Sequence, residues 1–254
     1  MAGMQTFFVP TDEIGGVEGS RVGIAWLGAL VRSKVQGEPV VLVHSKDMAD
    51  NNQYMAAAAR IFRWESVATW GRSSWSGGPV LALFADPKAL VKILERANSI
   101  SHLCVVESTG ERPEAWLRAA KPTYIVGQPG VYATLDPVVI GALLSLTAFV
   151  NRAHYANIED KAAGIRTCQE LLQLGYALDP NAFEAFVLEN RWDPDAAARF
   201  AETVRQVSSG HRFRNPDLRY WPAKATAKTR DYWREEGERY LADPSAAKAA
   251  DDGI

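Results

Sequence analysis

The stretch GPVLALFADPKALVKILERANSISHLCVVES, residues 78–108, decides the fold. It reads as a strand (80–84), a helix running to about residue 97, and a second strand (103–106). Asp86-Pro87 marks the helix start. The aspartate can accept a free amide hydrogen, and the proline sits where its missing N–H costs nothing. A strand, a helix and a further strand in this order imply a crossover connection and a mostly parallel sheet covered on both faces.

The same alternation extends outward. Residues 6–9 read as a short strand, 19–34 as a mostly apolar helix, and 40–43 as a continuous β-rich run suited to burial on both sides. Residues 50–62 have helical spacing, with Tyr54, Met55, Ala58, Ile61 and Phe62 on one side. Residues 67–70 are the third strand of this reading. Beyond residue 108 come a helix at 112–120 and a sixth strand at 123–126. The fold class is therefore α/β: a mostly parallel, Rossmann-like or P-loop-like three-layer sheet domain over residues 1–130, followed by an α-helical C-terminal region. The strand order is not legible.

After Gly130 the strand signals stop. Asp136-Pro137, Asp179-Pro180 and Asp193-Pro194 each open an apolar-periodic segment, predicting helices at 137–154, 180–189 and 194–207. Another, 159–174, ends at Gly175. The pair 180–189 and 194–207 has helix-turn-helix spacing, but the second helix lacks an evident base-reading face. A helical bundle over 131–207, with Trp192 in its core, is the plainer reading. Residues 208–254 form the third region: a basic, aromatic, extended arm, a short helix at 229–241 and a small, polar tail predicted to be disordered.

The chain of 254 residues is ample for a real core, and its near-neutral charge and balanced composition exclude a collagen-like or wholly disordered chain. Its two cysteines, Cys104 and Cys168, each lie in apolar surroundings and far apart, which predicts buried thiols rather than a disulfide framework or a zinc site. No metal site is evident, and no cofactor can be named. Met1 to Pro10 lacks the pattern of a secretory signal. The longest apolar run, 138–150, is too short to span a bilayer and is interrupted by Ser145 and Thr147. These features predict a soluble, cytoplasmic protein that does not engage a membrane.

In a parallel sheet, ligands bind beyond the carboxyl ends of the strands. The candidate ligand-binding residues are therefore Gly15, Gly16, Gly19 and Ser20 after the first strand, Ser45 and Lys46 after the second, and Arg72 and Ser73 after the third. His44, Asp12 and Glu107 are the candidate acid–base groups at the same edge. The glycines of Gly15-Gly16-Val17-Glu18-Gly19-Ser20 would let backbone amides approach a phosphate at a helix start. The loop is neither G-x-G-x-x-G nor a Walker A motif. His102 opens a strand at the opposite edge, and His154 and His211 lack metal-ligand spacing.

The succession of a glycine-bearing loop, a helix, Pro39-Val-Val-Leu-Val-His-Ser-Lys-Asp-Met-Ala-Asp50, residues 78–90 and Leu103-Cys-Val-Val-Glu-Ser108 resembles the first lobe of helicase-type ATPases over less than half of the chain. The resemblance implies a nucleotide site. The chain departs from that pattern where the phosphate-binding lysine and the magnesium-holding Asp-Glu pair would stand, which favours binding over turnover.

Between Arg205 and Arg234 there are eight basic and two acidic residues, a net +6 in a chain of net −2, so the remainder carries −8. Phe213, Tyr220, Trp221, Tyr232 and Trp233 are interleaved with the bases. Arg212, Arg214, Arg219, Tyr220, Trp221, Lys224 and Lys228 are the candidate nucleic-acid contacts, cations neutralising phosphates and rings stacking on bases. The competing reading folds this arm back onto the protein, with its aromatics as anchors.

The leading expectation is a non-hydrolytic, degenerate nucleotide-fold protein that binds a nucleotide or nucleic acid at the strand edge, assisted by the arm. The alternatives are a small-molecule enzyme with its site at the strand ends, and an adaptor or structural protein that meets a protein partner, or a second copy, through its helical half.

Overall fold

The computed structural model describes residues 4–108, 110–214, 218 and 223–244. Arg219, Tyr220, Trp221 and the tail from residue 245 onward lie outside the described residues. The chain divides into two compact units, residues 1–131 and 132–254.

The first unit is a six-stranded, all-parallel sheet: β1 (Gln5–Val9), β2 (Val40–Val43), β3 (Arg63–Ser66), β4 (Gly78–Ala85), β5 (Ile100–Glu107) and β6 (Thr123–Tyr124). Their order across the sheet is β3-β2-β4-β5-β1-β6. Four helices connect them: α1 (Gly15–Arg32), α2 (Gln53–Ala58), α3 (Pro87–Leu94) and α4 (Glu114–Ala120).

That order determines which face each helix covers. The chain moves toward the β3 edge from β1 to β2 to β3, then back toward the β6 edge from β3 onward. Right-handed crossovers running in opposite directions lie on opposite faces. Accordingly α1 and α2 pack together on one face, over Val9, Val41, Val43, Leu81, Leu83, Cys104 and Val106. On the other face Trp70, Trp75 and Ile93 are fully buried, and the ring of Trp116 lies 6.4 Å from that of Phe8. All four residues of β2 and seven of the eight in β4 are buried, as a two-sided strand requires.

Two predicted elements are corrected. The third strand is Arg63–Ser66, not 67–70; residues Val67–Arg72 form a 3-10 helix instead. Trp70 is buried there with its Nε1 toward the carbonyl of Ile93, and the Arg96 guanidinium lies over its ring. The apolar residues that suggested a strand thus fill the space under α3. The helix expected at 50–62 is shorter. It is a 3-10 turn, Lys46–Asp50, and then α2, whose first amides are capped by the Asn52 side chain.

Among the described residues the second unit is helical: α5 (Pro137–Phe149), α6 (Ile158–Gln173), α7 (Pro180–Glu189), α8 (Pro194–Ser208) and α9 (Ala227–Ala242). The aspartates before the prolines of α5 and α7 cap them through their side chains. Helix α5 ends at Phe149, five residues earlier than predicted. It is apolar on nearly all sides because it is central, with α6, α7 and α9 against it. Helix α9 approaches α5 at two glycines. A Cβ on Gly141 would collide with the backbone of Trp233, and one on Gly237 with that of Pro137. Tyr155, Trp192, Phe183 and Phe200 form the aromatic centre. No helix among the described residues is long and apolar enough to cross a membrane.

Candidate functional site at the carboxyl edge of the sheet

The winding reverses at two places, between β5 and β1 and between β2 and β4. In each pair the following helices depart to opposite faces, which opens a crevice at the carboxyl ends. The two crevices are occupied differently.

At β5/β1 the chain fills the crevice itself. The buried carboxylate of Glu107 accepts a hydrogen bond from the backbone N–H of Thr11 at 2.9 Å, and its other oxygen lies 3.3 Å from Arg112. Arg112 also faces Asp12 at 3.7 Å, Glu114 at 3.2 Å and the Tyr124 hydroxyl at 3.3 Å, with the Phe8 ring beneath it. Burial opposes the guanidinium's charge, but Glu107, Tyr124 and Glu114 hold its pKa above the usual value. Three carboxylates around one cation leave this crevice poorly suited to an incoming anion. Glu107 and Asp12, two of the predicted acid–base candidates, both belong to this clasp. Arg112 was not among the predicted residues. Only the adjacency of β1 and β5, invisible in the sequence, gives it its role.

At β2/β4 the polar groups point outward. The Nε2 of His44 lies 3.1 Å from the carbonyl oxygen of Phe84 and 3.7 Å from a carboxylate oxygen of Asp86. A carbonyl can only accept, so Nε2 carries a hydrogen, and in the neutral ring Nδ1 is then an acceptor. Among the described residues Nδ1 has no hydrogen-bond partner, and the imidazole is 43% exposed. Asp86 is held in place because its other oxygen caps α3 through the N–H of Ala89 at 2.7 Å. Ser45 caps the following 3-10 turn, and the exposed Lys46 ammonium lies 3.9 Å from Glu65.

Phe84 itself has a φ of +56°, a left-handed conformation unfavourable for a bulky residue, at an irregularity in the β4–β5 pairing. Its ring packs over Gly16, the second residue of α1. The glycines of the Gly15–Ser20 segment thus have packing reasons. The N–H of Gly15 (φ +75°) is engaged by the carbonyl of Thr11. A Cβ at Gly19 would lie 2.9 Å from the Thr11 side chain, and Ser20 is buried with its hydroxyl donated to the Gly16 carbonyl. The close seating of α1 on the sheet accounts for this spacing.

Arg72 and Ser73 do not follow a strand, since the third strand ends at Ser66. The Ser73 hydroxyl donates to Glu65 at 3.1 Å and accepts from Arg63, the residue that opens β3. In the helical unit the cations and the rings of the basic segment are placed differently. Arg212, Arg214, Lys224 and Lys228 are exposed, and among the described residues they form no ion pair. Phe213 packs against the helical core and Trp233 lies within it, so these two rings act as anchors, while Tyr232 is half exposed.

Both cysteines are free and buried, and burial pushes the Cys168 thiol up to about 12, well away from a reactive thiolate. Among the described residues, no three His, Cys, Asp or Glu side chains gather as a metal centre would need.

The fold is thus a parallel α/β unit with two switch points, one of them taken by the Glu107–Arg112 clasp, joined in sequence to a helical unit. The model of a family described as a domain of unknown function (DUF1889) matches residues 135–234, from just before α5 into α9. No curated protein and no solved structure matches the chain.

Proposed function

We propose that the α/β unit binds a nucleotide in the crevice between the carboxyl ends of β2 and β4, and that it binds without turning over a triphosphate. The observation that carries this reading is His44, held through Nε2 by the Phe84 carbonyl with the Asp86 carboxylate 3.7 Å away, and with Nδ1 left exposed. A preset acceptor beside an exposed ammonium (Lys46) suits a ligand with donor groups and phosphates. The other switch point is taken by Glu107 and Arg112, which favours β2/β4 for a ligand. The exposed cations Arg212, Arg214, Lys224 and Lys228 extend the reading to a polyanionic nucleic acid, through charge rather than ring stacking.

The test is thermal unfolding with a panel of mononucleotides, with and without magnesium. A nucleotide at a hundred times its dissociation constant adds about 2.7 kcal/mol of stability. We expect a rise in Tm that is lost in the His44→Ala and Lys46→Ala proteins. A flat panel overturns the reading.

A second reading rests on the same pair. An imidazole oriented by a backbone carbonyl, with a carboxylate near and Nδ1 exposed, has the form of a general base, which would make the α/β unit a small-molecule enzyme. In the helical unit, the exposed Phe149 and Leu172 are the side chains a protein partner or a second copy would cover. Two buried thiols fit a reducing compartment such as the cytoplasm.

A further inference from the structure

The helical unit contains a groove of about 420 Å³ between α6 and α8, bounded at one side by Phe213 and Arg214. Its floor comes from a helical repeat. Ile158, Lys161 and Ile165 are spaced three and four residues apart, so α6 turns them to one side. Thr203 and Gln206 do the same on α8. Ile165 is buried, whereas Ile158 is 58% exposed, so the apolar lining of the groove reaches solvent.

The charges along the rim do not cancel. Arg199 is paired with Asp195, and Glu202 with Arg205. Lys161 and Arg214 are both exposed, and among the described residues neither has an ionic partner. An apolar floor therefore lies beneath two uncompensated positive charges.

We propose that this groove binds an amphipathic carboxylate, an unbranched aliphatic acid. Its chain lies on Ile158, Ile165 and Phe213, and its carboxylate meets Lys161 and Arg214. The volume falls within the range of small-molecule sites. Lysine and arginine also suit the headgroup while their alkyl stems cover the chain. The site is independent of the sheet-edge nucleotide reading, because none of its residues belongs to the α/β unit, but it shares Arg214 with the proposed polyanion surface.

The experiment is isothermal titration of the full chain with hexanoate, octanoate and decanoate, each below its aggregation threshold, and with decyltrimethylammonium as a cation of matched chain. We expect saturable binding that tightens by about fourfold per added methylene until the groove is filled. The cation should not bind. The double variant Lys161→Glu/Arg214→Glu should bind decanoate roughly tenfold more weakly. Ile158→Ser, an exposed position that leaves folding intact, should weaken binding and flatten the chain-length dependence. No saturable binding of any acid, equal binding of the cation, or undiminished binding by both variants would overturn the proposal.

Discussion

The Nε2 of His44 lies 3.1 Å from the carbonyl oxygen of Phe84, a residue held at φ +56°. One side chain thus reads the backbone of the neighbouring strand where that backbone departs from regular pairing. Phe84→Gly relieves the left-handed strain but removes the ring over Gly16. We expect little net change in stability, since the two effects oppose. The carbonyl that receives His44 Nε2 then sits on a freer backbone, and nucleotide affinity should fall by about tenfold. Thermal unfolding with and without nucleotide separates the two effects.

The Glu107–Arg112 clasp gives a prediction about stability rather than binding. Glu107→Ala leaves the Thr11 amide and a partly buried guanidinium without their shared acceptor, and should cost about 2–4 kcal/mol in urea unfolding. Removing both partners, as Glu107→Leu/Arg112→Met, should cost clearly less than the sum of the two single changes. Additive losses would show that the two side chains do not act as a unit.

The α5–α9 crossing should be intolerant of a single methyl group. Gly237→Ala places a Cβ against the Pro137 backbone, which side-chain motion cannot relieve, and should cost about 3 kcal/mol or more. Gly175→Ala has free space around it and a φ of +87°, so its cost is conformational, about 1 kcal/mol. Denaturation midpoints of the two variants test the ranking.

Glu184, on α7, supplies a pH test. Burial raises its pKa above the ordinary 4.5, and Arg205 only partly opposes this. The fold therefore favours the protonated carboxyl. Relative to the unfolded chain, that contribution is fully present below the unfolded pKa and is lost as pH rises through the raised folded pKa. Glu184→Gln should therefore raise Tm at neutral pH, with the gain shrinking toward zero as the pH falls below 4.5. A gain independent of pH would point to some cause other than ionisation.

These features differ in how far the sequence announced them. The parallel sheet was legible because 40–43, 80–84 and 103–106 are buried on both faces and need continuous apolar runs. The helix starts were legible because Asp86, Asp136 and Asp179 cap locally. The third strand was not. Arg63–Ser66 is a polar edge strand with one neighbour, whereas Val67 and Trp70 are apolar because they fill the space beneath α3. His44 could be picked out as a strand-end residue, but its pairing with Asp86 depends on β2 lying beside β4. Arg112 depends in the same way on β5 lying beside β1. The Gly15–Ser20 spacing suggested a phosphate cradle; seating a helix tightly on a sheet calls for the same residues.

The chain has only four histidines, His44, His102, His154 and His211, so their imidazole proton resonances report site by site. Following these resonances during titration with a mononucleotide is the most direct test of the proposed site. The account predicts that the His44 signals move in a saturable manner while the other three stay in place. Movement confined to His154 or His211, or no movement of any histidine, would contradict it.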